Sequence, residues 1–132
     1  MKKTALLFSL FLLLSSCSTT NKIGSAENAL NGKWNWVSSS GGFIGKTITP
    51  ASENKKTILE ISNSTIKKYE NGNLIFESKY AIKEEPSIYG NERKMILFEN
   101  DMPKQSFEVK DNKLYLSEEC NDCYQSEYVR LK

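Results

Sequence analysis

Histidine is absent from all 132 residues. Imidazole is the side chain that titrates nearest neutrality, so its absence removes the Ser–His–Asp triad, the histidine general base and every histidine-ligated metal site. Charge of one sign is missing too. The formal net charge of +2 rests on Lys2 and Lys3, and with those two set aside in a leader the rest of the chain is neutral. A neutral domain has no electrostatic footprint for nucleic acid. The doublets Lys55-Lys56 and Lys67-Lys68 are interrupted by acids and read as solvated strand ends or turns. One long apolar run exists, Ala5 to Leu14, shorter than the about 20 residues that a spanning helix needs. No helical period of useful length follows it.

That run lies between Lys2-Lys3 and a group of small residues, the layout of a secretory leader. It ends in Leu14-Ser15-Ser16-Cys17, which resembles the lipobox of bacterial lipoproteins. The resemblance implies a signal peptide over residues 1–16, acylation of Cys17 with palmitate-type chains, and a membrane-anchored, non-spanning protein. Each buried CH₂ would contribute about 0.8 kcal/mol to that anchor. Ser18, rather than Asp, follows the acylated position, which is similar to an outer-membrane address in enteric bacteria. Residues 17–29 then read as the lipidated Cys and a flexible tether, with Ser25 capping a short helical turn up to Leu30. Residues 30–132 form one domain with a modest core.

Beyond Gly32 the hydrophobic period becomes two. Trp34/Trp36, Thr57/Leu59/Ile61, Leu74/Phe76/Ser78/Tyr80/Ile82, Gln105/Phe107/Val109 and Leu114/Leu116 alternate with polar residues, as half-buried strands do. Thr65–Tyr69, Arg93–Phe98 and Tyr124–Leu131 complete about eight strands. Between them stand Asn63-Ser64, Asn71-Gly72, Gly90-Asn91, Asn100-Asp101 and Asp111-Asn112, residues that tolerate the positive φ of tight hairpins. The expectation is an all-β fold, a small antiparallel up-and-down eight-stranded barrel with a short N-terminal helical turn. Closure removes exposed strand edges, and an open sandwich is the alternative.

A closed meander pairs its first strand with its last. Tyr124, Tyr128 and Arg130 share one face of the last strand, and a buried guanidinium needs a partner such as an indole face. Gly32-Lys33-Trp34 together with Arg130 resembles the Gly-x-Trp start and late arginine of lipocalins. More narrowly, the lipobox, "GKWNWVSSSGGFIGKTITP" and "CNDCYQSEYVRLK" resemble the small lipocalin-like lipoproteins of Bacteroidota-type bacteria. This kinship implies closure of the barrel by Gly32, Trp34 and Arg130. The aromatics then either plug the interior or line a mouth pocket for a small hydrophobic ligand, with Trp36, Phe43, Tyr80 and Tyr124 as its walls.

Cys120-Asn121-Asp122-Cys123 has three chemical readings. Zinc requires four ligands, and no histidine or further free cysteine supplies them. A redox pair requires a stabilised thiolate, whereas Glu118, Glu119 and Asp122 surround these sulfurs with negative charge. A structural disulfide between Cys120 and Cys123 is the expected state in an oxidising compartment. The three acids lack EF-hand spacing for calcium, and Ser38-Ser39-Ser40-Gly41-Gly42 lacks the Lys-Ser/Thr ending of a phosphate loop. The functional expectation is a non-enzymatic envelope lipoprotein: no cofactor, no metal, no nucleic acid, a monomer. It binds a small apolar molecule or, in the alternative, acts as a protein-interaction or inhibitor module through the loop Ser38 to Asn54.

Overall fold

The computed structural model describes the chain from Ser18 onward, with side chains from Lys22. The leader and Cys17 lie outside the described residues. Helix α1 (Ser18–Leu30) precedes β1 (Gly32–Gly41), β2 (Lys46–Ile48), the single turn α2 (Pro50–Glu53), β3 (Thr57–Ser62), β4 (Thr65–Glu70) and β5 (Asn73–Pro86). After these come β6 (Glu92–Phe98), β7 (Gln105–Lys110), β8 (Lys113–Glu118) and β9 (Gln125–Arg130). Eight of the nine strands form a closed antiparallel barrel in which β1 pairs with β3 on one side and β9 on the other. The ninth, β2, extends β1 past the barrel rim, pairing Ser39↔Ile48 through Gly41↔Lys46.

Turn chemistry sets the meander. Asn63 and Ser64, Asn71 and Gly72, and Asp111 and Asn112 all have positive φ, so three hairpins close with the mirror-image turns that suit strand twist. Alternation then sends Trp34, Leu59, Ile61, Ile66, Tyr80, Ile82, Ile96, Leu114 and Tyr128 into one buried cluster.

Two local expectations are corrected. The segment expected as a tether, with a helical turn starting at Ser25, is helical from Ser18. Ile23, Ala26 and Leu30 fall on one helical face and pack against the core, so docking stabilises a helix whose local propensity is weak. The loop Ser38 to Asn54 contains β2 and α2. Pro50 opens α2, while Thr49 and Ser52 satisfy each other's backbone N–H in a capping box.

Candidate functional site

The barrel closes where the first strand meets the last. Trp34 lies opposite Arg130 in the β1–β9 ladder. The guanidinium sits 4.1 Å from the indole centroid and donates to the carbonyls of Asn31 (2.7 Å) and Ala29 (2.8 Å). The indole N–H donates to Leu30 O at 2.8 Å. One cation thereby ties α1, β1 and β9 together. Gly32, with φ 141°, lets the chain leave α1 here; a Cβ on it would come within 2.6 Å of the guanidinium.

At the opposite rim, Trp36 donates to Ser39 Oγ at 2.8 Å, and Ser39 meets Ser126 Oγ at 2.6 Å. A bulge between Trp36 and Ser38 shifts the alternation by one, which turns Ser39 inward behind the tryptophan. Lys55 lies 5.8 Å from the Trp36 ring and pairs with Glu70 at 3.1 Å. These groups surround a recess of about 160 Å³ that also touches Tyr124 and Tyr128. Pockets for drug-sized ligands hold about 300–1,000 Å³. Burial, followed by the charges of Glu118 and Glu70, pushes the Tyr128 hydroxyl far above the ordinary tyrosine range, so it stays neutral.

Of the four residues expected to line one mouth, Trp36 and Tyr124 meet at this recess. Tyr80 is buried on β5, and its hydroxyl has no hydrogen-bond partner among the described residues. Phe43 is directed outward at 91% exposure. Alternation along a strand could not reveal this, because Phe43 belongs to the β1–β2 turn. Gly42 O accepts from Gly45 N at 3.1 Å, leaving Phe43 and Ile44 as the central turn residues, with Ile44 81% exposed. The bracketing glycines were the available signal.

Cys120 and Cys123 form a disulfide in the β8–β9 connection. Glu118 lies against the two sulfurs, but sulfurs bonded to each other offer a metal no thiolate. The bridge shapes the rim: a Cβ on Gly41, whose φ is 153°, would overlap the carbonyl oxygen of Cys123. Gly41 therefore permits β1 to pass against this loop, a tertiary reason for a glycine that reads locally as a loosener.

A second opening lies in the barrel wall. The β6–β7 ladder contains only Met95↔Ser106 and Ile96↔Gln105. Below it the β5–β6 hairpin leaves the sheet, held by Ser87 Oγ and Ile88 N donating to Glu119 (both 2.9 Å) and by Tyr89 OH donating to Glu118 O (2.8 Å). Burial raises the Glu119 pKa, but the nearby Ser106 hydroxyl, hydrogen bonds from Ile88 N and Ser87 Oγ and the Arg93 charge outweigh it and hold the carboxyl below its ordinary value. The cleft left behind measures about 700 Å³.

In comparisons with known proteins, no family model, curated protein or solved structure matches this chain.

Proposed function

We propose that the protein is a lipid-anchored, non-enzymatic lipoprotein of the bacterial envelope, a packed lipocalin-like barrel that engages a protein partner through the β1–β2 turn.

 Phe43 and Ile44 carry this reading. Turn centres ordinarily take Gly, Asn, Asp or Pro, and two large apolar side chains held in water serve no purpose in folding. Burying such a pair in a partner's pocket contributes about 1.5–3 kcal/mol per side chain. The interior points the same way, since aromatic and aliphatic side chains occupy the barrel axis and the Trp36–Tyr124 recess is small.

The orientation suits an anchored protein. Helix α1, which follows Cys17, meets the barrel where β1 begins, and the turn stands where that strand ends. A ten-residue strand separates the two by about 33 Å. The lipobox and the Trp34–Arg130 closure support the lipoprotein and lipocalin-like parts of the proposal.

A photoactivatable residue at position 43 of the full-length protein, expressed in cells, tests the partner class. Crosslinking to one discrete protein, lost when Ile44 is replaced by Ser, is the expected result. Adducts with lipid alone, or none, would refute it. Labelling with a palmitate analogue, abolished in Cys17→Ala, checks the anchor separately.

A further inference from the structure

We infer that the opening between β6 and β7 is a slot for strand addition, taking an extended peptide of about four residues from a partner protein. This surface is separate from the Phe43–Ile44 turn and does not depend on it. Continued pairing would set Lys94 opposite Phe107 and Arg93 opposite Glu108, but the ladder stops at Met95↔Ser106. The outer edge of β6 is already committed to β5 from Tyr80↔Phe98 to Pro86↔Glu92, and that of β7 to β8 from Gln105↔Glu118 to Lys110↔Lys113. Two strand edges thus face each other across a gap. Each presents backbone N–H and C=O groups, and an extended polypeptide is the ligand that satisfies both at once.

The dimensions agree. A strand residue occupies about 160 Å³, from a rise near 3.3 Å, a strand spacing near 4.8 Å and a sheet thickness near 10 Å. The cleft of about 700 Å³, which also reaches Tyr115 and Ser117 of β8 and Gln125 of β9, has room for about four residues along the unpaired stretch. Its inner side carries Phe107 and Val109 with Ala26 and Ala29 of α1 and, from the β5–β6 hairpin, Glu84, Glu92 and Lys94, while its outer side carries Glu108, Tyr115 and Gln125. The incoming strand is accordingly one with small residues on its inward face, set between the apolar side of β7 and the hairpin's charges, and polar residues facing water.

The test uses the full-length protein in detergent micelles and a capped Val-Thr-Val-Thr-Val-Thr peptide, with its alternately N-methylated form as control. Saturable binding is expected, with new hydrogen-exchange protection confined to residues 92–94 and 107–110, and about tenfold weaker binding of the N-methylated peptide. Three outcomes would overturn the inference: no binding at millimolar peptide, equal binding of the N-methylated form, or seam amides already protected in the free full-length chain.

Discussion

Arg130 shows how much one side chain can decide. Its guanidinium stacks on Trp34 and donates two hydrogen bonds to carbonyls at the end of α1. Arg130→Ala should cost about 3 kcal/mol, from charge-assisted hydrogen bonds and a stacked cation. Arg130→Lys should recover less than half, because an ammonium lacks the planar fork. Urea midpoints at constant m-value check both. Tyr80 makes a different case. Burial, and then the Glu27 charge, pushes its hydroxyl up to about 12 from 10.0. A raised folded-state pKa means that the contribution is complete below pH 10 and is lost as pH rises toward 12. Tyr80→Phe should lose less stability than the wild type over that window. At neutral pH it should stay within about 1 kcal/mol, since the hydroxyl it removes has no hydrogen-bond partner among the described residues.

Among the elements, the two loops at the rim and the seam act through specific fastenings. The Cys120–Cys123 bridge closes a very short loop, so in the chain-entropy treatment it contributes about 2 kcal/mol. Replacing both cysteines with serine should lower stability by that amount, and an insulin-reduction assay should detect no activity in the wild type. The β5–β6 hairpin depends on Glu119. Because its folded-state pKa is depressed, its contribution is present above the ordinary value of 4.5 and is lost as pH falls through the lower folded value. The stability gap between wild type and Glu119→Gln should therefore be open at neutral pH and narrow as pH falls below 4.5. Chemical denaturation at both pH values reads the gap directly.

The whole molecule is a cylinder with one firm seam and one weak seam. Six register pairs and the Arg130 stack join β1 to β9, while two pairs join β6 to β7. Opening should begin at the second. Amide exchange in the free protein should be faster for Lys94, Phe107 and Val109, whose N–H groups alternate toward the open seam, than for Asn35 and Val129. Protection that is uniform around the barrel would contradict this.

Period-two alternation and Asn-Gly, Asn-Ser and Asp-Asn turns made the all-β meander legible, because both signals are local: each side chain's face follows from its neighbours and each turn from its own φ. The pairing of Trp34 with Arg130 was legible from closure, which brings the two termini of a meander together. Tertiary structure alone decided the rest. Docking of Ile23, Ala26 and Leu30 extended back to Ser18 a helix that the local reading began at Ser25, and contact with the Cys123 carbonyl required Gly41. The outward aim of Phe43 and the gap beside Arg93 depend on where a rim turn and a detached hairpin lie relative to the cylinder, a relation between distant segments that no local pattern encodes.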